Sequence, residues 1–267
     1  MQLPLHPTKT DSPAANGAAA ATRTPQEVIS WAFARFSHRR LVVTTAFGME
    51  GCALVDMIAS FGIATEITYL DTHFLFPETL ELRDRLARRY PRLAFVNRGT
   101  TMTPDEQALL HGDRLWLSDP DRCCGIRKIE PMRAVLAGAD AWMTAIRRDQ
   151  SEARAHIETI VWDSSFELVK ISPLIAWSRA EVYAYVRDRG VPISPLHERG
   201  YPTFGCTHCT RPVEGAGPAD YSREGRWAGS GKTECGLHVD PTTGVLTRAA
   251  SPVPANATPA EATGKEH

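Results

Sequence analysis

"LVVTTAFGMEG", residues 41–51, decides the fold: five residues of strand character, "LVVTT", enter a glycine-containing turn and then the helical pattern of Leu54, Val55, Ile58 and Ala59. The same arrangement recurs at "EITYLD" (66–71), which runs through "THFLF" into the helical "PETLELRDRLARRY". "LAFVN" (93–97), a helix after Cys124, "AWMTAI" (141–146), the extended "FELVKI" (166–171) and a helix capped by Ser178 and Glu181 continue it. Upstream, Thr24, Pro25 and Glu27 make a capping-box start for a helix with Val28, Ile29, Trp31, Ala32 and Phe36 on its apolar side. Alternation of strand and helix predicts an α/β domain with a mainly parallel sheet flanked by helices, and a ligand site beyond the carboxyl ends of the strands.

A chain of 267 residues, 43% hydrophobic, can bury the core of one large domain. Residues 1–22 and 241–267 lack apolar periodicity and read as disordered tails, leaving a nucleotide-binding and metal-bearing domain at 23–210 and a mobile segment at 211–240. A formal charge of -1 supplies no basic field for nucleic acid, so an anionic ligand must be met by locally gathered arginines and lysines. With no apolar run of membrane length and no secretory pattern at the start, the expected location is the cytoplasm. Thiols stay reduced there, so grouped cysteines point to metal or redox chemistry rather than disulfides.

Two strand-to-helix turns face the expected ligand. The first offers Thr45 and Gly48, where backbone N–H groups at a helix start can cradle a phosphate; a tight turn without a ligand is the plainer reading, and the stretch is not a Walker sequence. The second ends with Asp71 and Thr72, placed to meet a ribose or base, or simply to cap the following helix.

The six cysteines divide by surroundings. Cys52 falls in an apolar helix pattern and reads as core. Cys206 and Cys209, as "CTHC", can turn two thiolates toward one centre, while the adjacent Cys123 and Cys124 must splay apart, which suits the separated corners of a [4Fe-4S] cube better than one small ion. Zinc and ordinary burial stay open on this reading. Cys235 stands apart in "KTECGLH", outside any helix or strand pattern, with Arg223, Arg226 and Lys232 near it, as a nucleophile requires; an exposed idle thiol is the alternative.

Taken together, "TTAFGMEG", "LDTHFLFPET", "CCGIRK", "AIRRDQS", "CTHC", "GRW" and "KTECGLH" resemble the assimilatory sulfonucleotide reductases, in the iron-sulfur adenylylsulfate (APS) reductase branch, over about residues 25–240. The resemblance implies a PP-loop adenine nucleotide α-hydrolase-like fold and one [4Fe-4S] cluster per chain on Cys123, Cys124, Cys206 and Cys209. It implies Cys235 as the nucleophile that takes the sulfo group from APS, releasing AMP, with thioredoxin or glutaredoxin then releasing sulfite. Lys128, Arg147, Arg223 and Arg226 would neutralise the phosphosulfate, with Arg148 a further cation, and His238 would tune the thiolate or stay an exposed polar residue. By analogy the chain would form homo-oligomers; no nucleic acid or membrane partner is implied.

Two departures bear on the site. His73 stands where the family has Gly after "LDT", and would reshape the pocket or contact substrate; the stretch between Trp227 and Lys232 is short for carrying Cys235 inward. Competing readings are a reductase of the 3'-phosphorylated nucleotide (PAPS), or of both, whose branch typically lacks the paired cysteines; an ATP-dependent PP-loop tRNA-thiolation enzyme, whose SGGxDS loop is missing; and a non-catalytic iron-sulfur sensor.

Overall fold

Buried backbone groups must find partners, and the apolar runs find them in one another. The computed structural model describes residues 23–37 and 40–238, so the expected terminal tails lie outside the described residues. Its strands are β1 (Leu41–Thr44), β2 (Thr65–Tyr69), β3 (Leu93–Asn97), β4 (Ala141–Met143), β5 (Ile160–Asp163) and β6 (Leu168–Ile171). They form one sheet in the order β3-β2-β1-β4-β6-β5, parallel except where β5 runs antiparallel to β6. β1 thus lies between β2 and β4, and the chain order reverses across it, which opens a crevice at its carboxyl end.

The expected strands are present, shorter at 141–143 and 168–171 than the sequence pattern suggested, whereas β5 and its antiparallel pairing were not anticipated. Alternate residues of β1 and β4 serve opposite faces. Val43 and Met143 join Ile67, Val169 and Ile171 in a core covered by α1 (Pro25–Arg35), α2 (Met49–Ser60), α3 (Pro77–Arg89) and α8 (Arg179–Asp188). Val42 and Trp142 point the other way, packing with Leu168 against Met132, Val135 and Leu136 of α7 (Glu130–Leu136). Each fully buried aliphatic side chain of this kind contributes about 1.5–3 kcal/mol. The capping boxes expected at Thr24/Glu27 and Ser178/Glu181 both close, and an unanticipated third, Thr103/Glu106, starts α4 (Pro104–His111).

The helix expected after Cys124 arrives in pieces. α5 (Leu115–Ser118) and α6 (Pro120–Cys124) lead into a π-helical turn, Gly125–Ile129, before α7. Wide turns of this type recur at functional sites; this one carries Lys128 immediately beyond the paired cysteines. No helix of the described residues is long and apolar enough to cross a membrane.

Of the segment expected to be mobile, 211–240, residues 211–238 are described; they contain no helix or strand, and several of them line the cavity at the strand ends. Backbone bonds tie Arg211 N to Gly225 O (2.8 Å), Val213 N to Gly200 O (2.7 Å) and Trp227 N to Cys209 O (3.0 Å). Lys232 Nζ, paired with Asp121 at 2.5 Å, and Glu234, paired with Arg154 at 2.9 Å, fasten the far end.

Candidate active site

The turn after β1 is built around Thr45. Its hydroxyl accepts from Phe47 N at 3.0 Å, and Gly51 approaches so closely that a Cβ there would run into Thr45 Oγ1. Phe47 is thereby held at φ +58°, with its ring packed on Tyr69 and Phe95. Strain of this sort costs about 1–3 kcal/mol and persists only where the surroundings enforce it. Gly48 caps α2 without a side-chain hydrogen bond, and it lines the crevice together with Met49, Glu50 and Gly51 of the first helical turn.

That crevice is a cavity over the ends of β1, β2 and β4, lined at its floor by Thr45, Gly48, Thr68, Thr72 and Thr144. Of the expected first-turn and second-turn residues, Thr45, Gly48 and Thr72 therefore line it. Asp71 does not: its carboxylate accepts from His73 N at 2.8 Å, and its own N–H donates to Asn97 Oδ1 at 2.9 Å, the turn-capping role. His73 sits at φ +61° with its side chain exposed, outside the cavity lining, so the left-handed backbone explains a family glycine and the pocket is not reshaped by the imidazole.

Four cations, Lys128, Arg154, Arg223 and Arg226, line the cavity together with Cys235. Trp227, itself left-handed at φ +48°, lies among them: Arg226 is 4.3 Å, Arg223 5.7 Å, Lys232 5.7 Å and Lys128 6.0 Å from its ring. An aromatic face lets like charges gather where bare guanidinium groups would repel. Burial opposes the Lys128 ammonium, but negative charge on the sulfurs of Cys206, Cys124 and Cys235 outweighs it and raises its pKa. The short stretch before Lys232 does not keep Cys235 from the cavity.

His238 is not an exposed polar residue. Its ring stacks on Trp142 at 5.2 Å, and burial, with Lys170, Arg154 and Arg223 nearby, lowers its pKa well below the ordinary value. Trp142 is fixed in turn by Thr44, which accepts from its Nε1 at 2.8 Å. His238 lines the cavity with Leu237.

Arg147, expected to face the phosphosulfate, is not among the residues lining the cavity, and its Nη2 is buried without a partner. It is fully buried behind the cavity, where its Nε donates to Glu50 Oε1 at 3.0 Å, its Nη1 pairs with Asp149, and Tyr221 stacks on it at 4.8 Å. Arg148 is also committed elsewhere, donating from Nε to Ile157 O at 2.9 Å. Arg179 joins Arg147 on Glu50, and although burial opposes ionisation these two guanidinium groups hold that carboxyl below its usual range. The cation that sequence reading missed is Arg154, four residues beyond the end of "RRDQ", where no local pattern distinguishes it from a surface arginine. His197 was missed too; it lines the cavity, and burial beside Arg179 lowers its pKa to about 4.

Next to the cavity, Cys123, Cys124, Cys206 and Cys209 line one small apolar chamber walled by Phe74 and Trp116, the latter stacked on His208 at 4.0 Å. All four are buried free thiols. Burial, then the neighbouring thiols, pushes Cys123 and Cys209 up to about 11, and burial raises Cys124 as well. Thr72 Oγ1 lies 3.3 Å from Cys206 Sγ and Gln107 Nε2 donates to Cys123 Sγ at 3.8 Å, so polar groups already address the sulfurs. Among the described residues no three His, Cys, Asp or Glu side chains converge as they would around one ion. Four soft donors on the walls of one chamber, with Lys128 and Arg127 beside them, fit a polynuclear iron-sulfur group, which takes its thiolates at separate corners. By contrast Cys52 is wholly buried in α2, and burial and Glu50 push its thiol up to about 12, as expected of an inert core residue.

The fold and the cavity define an α/β protein with a candidate ligand site at the sheet's switch point. Residues 40–212 match the phosphoadenosine phosphosulfate reductase domain, and the chain belongs to that family of oxidoreductases acting on sulfur groups. It is 43% identical over 217 residues to the adenosine 5'-phosphosulfate reductase of Bacillus mycoides, covering 81% of this chain and 91% of the relative. A protein of the same name from Geobacillus kaustophilus is 42% identical over 218 residues, covering 82% and 91%. Among solved structures, the phosphoadenylyl-sulfate reductase of Candida auris in its phosphate complex superposes with a TM-score of 0.63 at 32% identity, covering 74% of this chain and 94% of that one. The FMN adenylyltransferase of Candida glabrata, with a TM-score of 0.53 at 16% identity and coverage of 79% and 70%, shares the fold alone.

Proposed function

We propose that the protein is an adenylylsulfate reductase, converting APS to AMP and sulfite through an S-sulfo adduct on Cys235. The observation that carries this reading is the meeting of Cys235 with Lys128, Arg154, Arg223 and Arg226 in one cavity at the strand ends. The adenosine lies across β1, β2 and β4, with the first turn of α2 and the hydroxyls of Thr45 and Thr72 as its polar contacts. The phosphosulfate points toward the cations, which bind its two negative charges and lower the cost of an approaching thiolate.

The Cys235 thiolate attacks the sulfo sulfur. An Sγ–S bond forms as the sulfur–oxygen bond to phosphate breaks, and AMP leaves with that electron pair. A protein dithiol of the thioredoxin or glutaredoxin class then attacks Cys235 Sγ. Sulfite leaves with the electron pair, the reductant's second thiol resolves the mixed disulfide, and Cys235 returns as thiolate while the dithiol ends as a disulfide. The two electrons thus come from thiols, in the reducing cytoplasm.

Cys123, Cys124, Cys206 and Cys209 would hold one [4Fe-4S] cluster, which when bound supplies local negative charge and ties residues 123–124 to 206–209. Lys128 stands between that chamber and the cavity, lining both. APS is favoured over PAPS because relatives named for APS match at 42–43% identity and because Arg147 and Arg148, the cations considered for a 3'-phosphate, do not line the cavity. Anaerobic purification with iron and sulfide quantification, followed by parallel APS and PAPS assays with thioredoxin, tests the proposal. It predicts about four irons and four sulfides per chain and sulfite from APS. A colourless zinc protein would overturn the metal assignment, preferential turnover of PAPS the substrate, and ATP-dependent products the reaction class.

A further inference from the structure

We propose that Glu234 is a positioning residue for this reaction: it holds Cys235 over the cavity and at the same time balances one of the two guanidinium charges awaiting the substrate's anion. The inference rests on the reductase reading above. No helix or strand fixes Cys235, so its placement must come from side chains. Both carboxylate oxygens of Glu234 are engaged: Oε1 accepts from Ser151 Oγ at 2.8 Å, and Oε2 from Arg154 Nη2 at 2.9 Å and Arg223 Nη2 at 3.0 Å. Arg223 Nη2 also donates to Thr233 O at 2.7 Å, so the two residues before the nucleophile are tethered to one guanidinium. On the other side Gly236 turns the chain at φ +95°, a conformation that glycine adopts without penalty. Cys235 is therefore held between a doubly bonded carboxylate and a tight turn.

The same two arginines face the cavity, and the Nε of each is buried without a partner. Each guanidinium is thus divided, with one nitrogen on Glu234 and another left for an incoming anion. Two positive charges against one carboxylate leave a single net charge at this point, because Glu50, the other acid lining the cavity, is matched by Arg147 and Arg179. Glu234 consequently gives up some anion affinity in exchange for a fixed nucleophile.

Glu234→Gln keeps the shape and removes the charge, and it separates the two effects. In single-turnover reactions without reductant, the rate of adduct formation and AMP release at saturating APS falls on the order of 10²-fold, as a misplaced reacting group costs. The dissociation constant for AMP, measured by calorimetry on the same protein, falls by roughly threefold to tenfold as both guanidinium groups turn to the ligand. Glu234→Asp recovers affinity close to that of the unaltered protein and part of the rate. A merely structural tether would weaken reaction and AMP binding together, so a Gln variant that reacts slowly and also binds AMP less tightly, or not at all, overturns the inference. So does a variant indistinguishable from the unaltered protein. If the unaltered protein takes up no sulfo group from APS, the reductase reading fails instead.

Discussion

The strand-end cavity and the cysteine chamber share a wall, at Lys128 and Thr72, yet they are built on different principles. The cavity floor comes from three turns that continue β1, β2 and β4, and its shape is enforced by sheet register, by the Gly51–Thr45 approach and by ion pairs around Glu50. The chamber is assembled from two short segments about eighty residues apart, without sheet pairing between them, and it crowds four buried thiols. The cavity is made by the fold; the chamber, on the proposed reading, would depend on the cluster it holds. Cys235 belongs to the first in its placement and packs against the cluster of Cys124, Cys206, Cys209 and Trp227 that borders the second.

The largest effect expected from this contrast is at Cys235. Cys235→Ser should slow AMP release from APS on the order of 10⁴-fold or more, with AMP binding and iron content unchanged. Iron loss with that substitution would mean that the two regions are not separable. Cys206→Ser strikes the chamber instead: iron content should collapse and the protein should become less stable to urea, while calorimetry still detects AMP, since the floor is set by the sheet.

A smaller effect distinguishes the cavity by its acid response. His197, buried with its pKa lowered to about 4 from 6.5, takes up its proton in the unfolded chain first, so stability falls as pH drops through that interval and levels off below it. The difference amounts to about 3 kcal/mol, and urea titrations between those pH values should show it shrink in His197→Gln. The groups facing the ring are Arg179 at 3.4 Å, Tyr201 O at 3.0 Å and, at longer range, Glu50. Least of all, His73→Gly should stabilise by about 0.5–1 kcal/mol, relieving the left-handed strain, and alter neither AMP binding nor iron content. A change in AMP affinity would return His73 to the pocket.

The parts legible in the sequence are those whose cause is local. β1, β2 and β3 announce themselves because strands buried in a parallel sheet need continuous apolar or β-branched residues, and the capping boxes at Thr24 and Ser178 pair residues three apart. The cysteine quartet stood out because soft donors rarely cluster without reason. β5 stayed hidden since its "IVWD" carries no clean alternation and gains its place only by pairing with β6. The docked state of residues 211–238 was illegible for the same reason: Glu234 meets Arg154 across eighty positions, and no periodicity encodes that. Arg147 shows the converse. Its charge was assigned to the ligand, whereas its Nε donates to Glu50, ninety-seven positions away, a pairing that no local pattern encodes.

On the proposed reading, the thiol brought to the strand ends is the one that accepts the sulfo group. Intact-protein and peptide mass spectrometry after exposure to APS, with no dithiol present, measures this directly. One sulfo group per chain is expected, mapped to the peptide bearing Cys235 and released as sulfite when thioredoxin is added. An unmodified Cys235, or a sulfo group found on one of the chamber cysteines, would contradict it.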